Sequence, residues 1–327
     1  MVVQKKMDKP LTLGVDIGGT KVNVALVDAA GRLLSVHKSL IHPEKEPKMV
    51  IADILAGVEV CLSKTGQEAK ALGIGIAAQV DLKGVVHGSP NLGWRNFPLK
   101  KKLEKQLGLP VVVTNDVRAA TWGEWCYGSG RGVDDLAVLF VGTGVGGGVI
   151  SGGKVLSGCT NSGGELGHIT IVSDGRKCRC PNKGCLEAYA GGWAIAERAQ
   201  EAIRTLSYEG RRLLSLAGSI KQVTAVTVSQ AYREGDLLAR LLVEETGQYL
   251  AAGVVSIVNA FNPCLLVLGG GVIEGIPELI QMVKDITRNR ALEAAVEELE
   301  IVKAALGGDA GVIGAAALAQ DLVDKAP

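Results

Sequence analysis

Three of the seven cysteines of this 327-residue chain fall within eight positions, C-R-C-P-N-K-G-C, as Cys178, Cys180 and Cys185. His168 stands ten positions before Cys178, in the stretch G-G-E-L-G-H. Three thiolates and one imidazole make a closed tetrahedral donor set for zinc, with no open position for a substrate, so the expected role of the metal is structural. Pro181 and Gly184 permit the tight turn between the ligands. The near pair is C-x-C, which is not the C-x-x-C of a redox dithiol. The competing reading is three unrelated reduced thiols.

Carboxylates accompany this set. Glu165 lies three residues before His168, and Glu187 two residues after Cys185. A metal that pins His168 to the cysteine loop would draw all three side chains together. Carboxylates with an imidazole suit paired hydrogen bonds to vicinal sugar hydroxyls. On spacing alone, Glu187 equally well starts a helix. Two more acids stand at strand ends. Asp16 precedes a glycine turn, where it could hold a magnesium ion through water beside phosphates, or simply cap the turn. Asp116 follows Asn115 where a β-branched run meets a helix, so an N-cap is its ordinary role. Carboxyl ends of strands are also where α/β sheets bind ligands, and a carboxylate there could accept a proton from a hydroxyl.

Two glycine turns, Gly18-Gly19-Thr20 and Gly142-Thr143-Gly144, offer backbone N–H groups and a threonine hydroxyl. Such turns can form anion nests for phosphates. Gly142, Gly144 and Gly147 satisfy G-x-G-x-x-G, but a dinucleotide fingerprint opens a helix and residues 149–151 read as strand. A Walker A loop is absent. Gly269, Gly270 and Gly271 after a third strand strengthen the expectation of a nucleotide cleft.

These side chains need elements to position them. Residues 11–28 and 136–155 resemble each other: an apolar strand, a glycine turn with a threonine, and a second β-rich strand. A hairpin repeated once per half-chain predicts two domains of similar fold, as the length also does. The domains are placed at 1–127 and 128–327. Between and after the hairpins the pattern predicts a helix over 48–65, a strand over 71–76, a loop over 88–98, and a strand over 109–114 followed by a helix to 124. Helices over 193–204, 229–233 and 236–259 come next, then a strand over 265–268. A last helix-like stretch, 310–326, could pack on either domain. Helices alternating with strands make the class α/β.

Composition excludes some functions. The formal charge is +1, and the short basic stretch 100–105 reads as a solvated helix face, so nucleic-acid binding has little electrostatic support. Residues 1–10 are polar, with no secretory signal. The apolar stretch 250–272 is broken by Asn259, Asn262, Pro263 and four glycines, and reads as helix, turn and strand, not as a membrane span. An odd number of cysteines in a long chain fits reduced thiols. A soluble cytoplasmic protein is expected.

The strings D-I-G-G-T-K, N-D-V-R-A-A-T-W-G-E, G-T-G-V-G-G-G, G-G-E-L-G-H and C-R-C-P-N-K-G-C-L-E-A-Y-A-G-G, in this order, resemble the ROK family of bacterial sugar kinases, related repressors and open-reading-frame homologues. The resemblance runs from residue 11 to about 319. It implies an actin-like, ribonuclease-H-like ATPase fold with two similar α/β domains around a cleft, and phosphorylation of a hexose by ATP with Mg²⁺. By the same resemblance Asp116 is the general base, and Asn91, Asn115, Glu165, His168 and Glu187 join it as sugar ligands. Asp16, Gly18, Gly19, Thr20 and Lys21, with Gly142, Thr143 and Gly144, fall in the phosphate loops, and Gly269, Gly270 and Gly271 in the adenosine loop. One nitrogen of His168 would ligate zinc while the other meets the sugar, so the metal orients a substrate ligand. The nucleotide contacts are expected on loops other than the zinc loop.

Two departures stand out. Many sugar kinases of the family carry Pro-Gly after the third strand, where this chain has Ala77-Ala78-Gln79. The repressors carry an N-terminal helix-turn-helix domain, for which the sequence before Asp16 leaves no room. The stretch P-N-L-G-W-R-N-F-P-L at 90–99 resembles the glucokinase branch, so glucose phosphorylated at its 6-hydroxyl is the expected reaction. Rivals are a kinase for fructose, N-acetylglucosamine or N-acetylmannosamine, and a non-catalytic sugar sensor. A homodimer or higher homo-oligomer is expected.

Overall fold

Short β-branched runs closed by glycine turns fold into two sheets of one plan. The computed structural model of the protein describes residues 10–89, 91–205 and 210–325. Pro90, which opens the glucokinase-like stretch, lies outside the described residues, as do nearly all of the polar opening segment and the last residue of the predicted 310–326 helix.

The chain forms two compact units. The first runs to Gly132 and includes Ser157–Gly163 and the chain from Gly308 onward; the second holds Val133–Leu156 and Gly164–Gly307. In the first unit the strands are β1 (Thr12–Ile17), β2 (Lys21–Val27), β3 (Leu33–Leu40), β4 (Leu72–Ile76), β5 (Gln79–Val80), β6 (Val86–Ser89), β7 (Trp94–Phe97) and β8 (Val111–Asn115). The main sheet has the order β3-β2-β1-β4-β8, with β1 antiparallel to β2 and parallel to β4, and β4 parallel to β8. In the second unit the strands are β9 (Leu136–Val141), β10 (Val145–Ser151), β11 (Lys154–Val155), β12 (Leu265–Gly269) and β13 (Glu300–Lys303). Their order is β11-β10-β9-β12-β13, again an antiparallel hairpin followed by parallel strands. The hairpin repeat seen in the sequence is therefore a repeat of the whole sheet.

Parallel strands buried on both faces read as apolar runs, and β1, β4 and β12 do so. On one face of β1 and β4 the apolar run gives way to glycine. A Cβ on Gly14 would lie 2.0 Å from the carbonyl oxygen of Val312, and one on Gly73 would lie 1.7 Å from that of Ala315. The last helix, Ala310–Asp324, reads A-G-V-I-G-A-A-A-L-A-Q, and its small residues let its backbone lie directly on these strands of the first unit. Gly314 repeats the theme against the carbonyl oxygen of Ala119, at 1.7 Å. No larger side chain fits at these positions without moving backbone.

The structure differs from the sequence reading at residues 88–98. Glycine, asparagine and proline there suggest a loop, but β5, β6 and β7 form a three-stranded sheet. Trp94 is buried, its ring 5.1 Å from that of Phe97, and its indole N–H donates to the Lys45 carbonyl at 2.8 Å. The stretch thus packs and pairs where its composition predicts a turn.

The helix Leu237–Phe261 is, among the described residues, the one long and apolar enough to cross a membrane by length and composition. Its buried side chains, Leu242, Leu250, Val254 and Ile257 among them, belong to the core of the second unit. Asp236 caps its start by accepting from the Ala239 N–H at 2.8 Å, and Asn262 ends it in the left-handed conformation.

Candidate functional site

In the first unit the candidate residues gather at the carboxyl ends of the parallel strands. Asp116 begins the helix Asp116–Tyr127 immediately after β8. The cap is not Asp116 but Asn115, whose side-chain oxygen accepts from the N–H groups of Val117 and Arg118 at 2.9 and 3.1 Å. Its amide donates to the Ala78 carbonyl at 3.4 Å. The aspartate is thereby released from capping and sits in the first turn, where the helix dipole favours a negative charge. Asn115 is correspondingly committed: one of its amide hydrogens remains for other partners.

Asp16 stands next to last on β1, with Asn23 donating to it at 3.5 Å. A Cβ on Gly311 would fall 2.9 Å from its carboxyl carbon, so the start of the last helix lies against it. Burial, and then the charge of Asp116, push its carboxyl up to about 6. The turn Gly18-Gly19-Thr20 follows, closed by the Gly18 N–H donating to the Lys21 carbonyl at 3.0 Å. Asn91 packs against Gly19, and its carbonyl accepts from the Lys45 ammonium at 2.7 Å. In the departing loop, Ala78 is buried and Gln79 is exposed.

In the second unit the four predicted ligands come together. The imidazole of His168 and the sulfurs of Cys178, Cys180 and Cys185 offer ligand atoms that all lie within 4.8 Å of one another. His168 Nδ1 is 3.8 Å from Cys178 Sγ, and Cys180 Sγ is 3.6 Å from Cys185 Sγ. A tetrahedron with metal–sulfur arms of ~2.3 Å has edges of ~3.8 Å, so the donor set fits zinc. The facing nitrogen is Nδ1, which leaves Nε2 for another partner. Burial pushes the Cys178 thiol up to about 12; a divalent cation at the centre would favour its thiolate. The Asn182 amide donates to Cys185 Sγ at 3.5 Å and to Thr170 Oγ1 at 2.8 Å, supporting the set from outside. Gly184 has φ +77, and a Cβ there would lie 1.7 Å from the Val172 carbonyl oxygen, so the turn requires glycine.

Glu187 and Glu165 flank this loop. Glu165 is exposed and precedes the short 3₁₀ turn that carries His168. Glu187 opens a one-turn helix and turns inward: Oε2 accepts from the Val145 N–H at 3.0 Å, and Oε1 lies 3.9 Å from Cys178 Sγ. One of its oxygens therefore holds the second glycine turn, a tie that spacing alone did not show.

That turn, Gly142-Thr143-Gly144, has the same length as its counterpart in the first unit. It borders a cavity of about 700 Å³ lined also by Trp193, Thr224, Gln230, Arg233 and Gly271. This volume is in the range of small-molecule sites. Gly270, at φ +91, passes so near β9 that a Cβ would meet the Val141 carbonyl oxygen at 2.5 Å. Arg233 and Ser229 both donate to the Gly275 carbonyl, at 2.9 and 2.8 Å, and fix the far end of the glycine loop. Sequence reading found Gly142, Thr143 and Gly271 but missed the cavity's walls on the helices Gly192–Thr205 and Ala225–Arg233. Beyond Gly192, the last residue of the cysteine-rich string, those walls carry no motif.

A sequence model of the ROK family matches residues 12–322. The chain belongs to the ROK family. This ROK protein is 35% identical to the glucokinase of Streptomyces coelicolor, over 95% of its own length and 98% of that enzyme's. It is 37% identical to a ROK glucokinase from Streptomyces griseus solved with glucose and AMPPNP, with a TM-score of 0.83 over 95% of this chain and 99% of that one. A ROK hexokinase from Thermus thermophilus is 32% identical, with a TM-score of 0.82 over 97% and 100% of the two chains. The fold of this ROK protein is accordingly the α/β, actin-like ATPase fold of these kinases.

Asp16 gives a pH test. Its carboxyl is raised from 3.8 to about 6, so between these values the folded chain keeps a proton that the unfolded chain has lost. Stability therefore falls as pH rises through that window, by about 3 kcal/mol at this residue. In ligand-free protein, Asp16→Asn should be more stable than wild type by about 2–3 kcal/mol at pH 8, with the difference vanishing toward pH 4. Urea unfolding across that range checks it; a difference that does not change with pH would contradict it.

Proposed function

We propose that this chain transfers the γ-phosphoryl group of ATP to the 6-hydroxyl of glucose. The full-length likeness to a glucokinase that holds glucose and AMPPNP carries the reading. The roles proposed for this chain's residues follow from that reading. Asp116 accepts the proton of the 6-hydroxyl while that oxygen forms its bond to the γ-phosphorus and the bond to the bridging oxygen of ADP breaks. Asn91, Asn115, Glu165, His168 and Glu187 bind sugar hydroxyls, His168 through Nε2. With one oxygen already tied to Val145, Glu187 has the other to offer the sugar.

The turns at Gly18 and Gly142 hold phosphates through their N–H groups, with Lys21 nearby, and the cavity beside Gly271 takes the adenosine. A magnesium ion, reached by Asp16 through water, would neutralise the phosphate charge. Zinc in the Cys₃His set would fix the orientation of His168. Positioning provides most of the rate, because phosphoryl transfer asks little covalent help of the protein. None of the seven cysteines is in a disulfide, in keeping with a cytoplasmic enzyme. A base at Asp116 favours a kinase over a sugar sensor, since sensing requires no proton transfer.

Metal analysis of the purified protein should find about one zinc per chain, and Cys180→Ser should lose most of it and weaken glucose binding. Carefully prepared wild-type protein that turns over glucose without zinc would remove the metal from this account. For the chemistry, Asp116→Asn retains shape and hydrogen bonding but cannot take the proton. Its kcat with glucose and ATP should drop on the order of 10²-fold or more, with glucose affinity much less affected. Turnover near the wild-type level would take the base role from Asp116.

A further inference from the structure

We propose that Arg179 is a positioning residue for the nucleotide cavity, acting through Trp193. The proposal rests on the reading of that cavity as the ATP site. Arg179 lies between two of the zinc ligands, Cys178 and Cys180, so the set that closes the loop also fixes where its side chain leaves. Its guanidinium sits over the indole of Trp193, 4.5 Å from the ring centroid, within the range of a cation–π contact. The exposed Arg179 has no ion pair among the described residues, whereas Arg176 in the same loop is held by two hydrogen bonds to Glu201, at 2.9 and 2.7 Å. Charge pairing therefore explains the place of Arg176 but not that of Arg179.

Trp193 connects three parts of the second unit. Its side chain packs with Cys178 and Cys185 in the cluster behind the zinc set. Its backbone N–H donates to the Thr143 carbonyl at 3.0 Å, and the Gly192 N–H donates to that of Gly142 at 2.9 Å, so it adjoins the phosphate turn. Trp193 is also among the residues that line the 700 Å³ cavity. The indole nitrogen is buried without a hydrogen-bond partner among the described residues, so no polar contact fixes the ring. Packing and the guanidinium do. The zinc loop, expected to serve the sugar alone, is thereby coupled to the nucleotide wall.

The experiment uses the zinc-loaded full chain and titrates Mg²⁺-AMPPNP and glucose separately by calorimetry, with zinc measured for every variant. Arg179→Ala should weaken AMPPNP roughly two- to five-fold, the range of an exposed cation–π contact. Glucose affinity and zinc content should stay at wild-type values. Arg179→Lys should recover most of the nucleotide affinity, because it keeps the charge over the ring. In a Trp193→Leu background, Arg179→Ala should have no further effect. Unchanged AMPPNP affinity in Arg179→Ala overturns the proposal alone. So does an equal loss of both ligands together with zinc, which marks a merely structural loop residue. Wild-type protein that binds glucose but not AMPPNP overturns the reading of the cavity and the proposal with it.

Discussion

The gathering of one imidazole and three sulfurs within 4.8 Å is the constraint on which the second unit's chemistry depends. The loop has only a small apolar cluster of its own, around Cys178, Cys185, Tyr189 and Trp193, and its isolated β-bridges join Thr170 with Cys185 and Lys177 with Lys183. A metal held by the four ligand atoms would add the closure that so small a core cannot supply alone. The gathered set faces His168 Nδ1 toward the sulfurs, starts the helix that carries Glu187, and holds Arg179 over Trp193. Glu187 in turn ties the helix to the second glycine turn. One cluster therefore orients both a group suited to hydroxyls and a wall suited to a nucleotide.

The first unit reaches the same end by steric means. Glycine on β1 and β4 lets the last helix lie directly on the sheet, which brings Gly311 against Asp16. The resulting burial lifts that carboxyl to about 6, so the residue is held in an environment that disfavours its charge. Asn115 contributes the opposite economy. By capping the helix itself, it leaves the carboxylate of Asp116 in the first turn without the duty of a cap.

Much of this was legible in the sequence because it rests on local rules. The two hairpins announced the repeated sheet through their glycine turns, and cysteine spacing announced the convergence of His168, Cys178, Cys180 and Cys185. Asp116 was legible as a strand-end acid, although its neighbour turned out to be the cap. The β6–β7 pair was not legible: its polar and glycine residues have turn chemistry, and the burial of Trp94 that makes it a sheet comes from tertiary packing. Nor were the cavity walls. Trp193, Thr224 and Arg233 converge from two helices, and nothing in their spacing marks them. The contact between Arg179 and Trp193 depends on the direction of one arginine side chain, which spacing cannot give.

The assignment of the reaction turns on the product. Incubation of the protein with ATP, Mg²⁺ and glucose, followed by phosphorus NMR correlated to sugar protons, reads the new bond directly. The account predicts ADP and one phosphate ester, attached at C6 of glucose, with little free phosphate. Free phosphate without an ester, or an ester formed on N-acetylated hexoses but not on glucose, would contradict it.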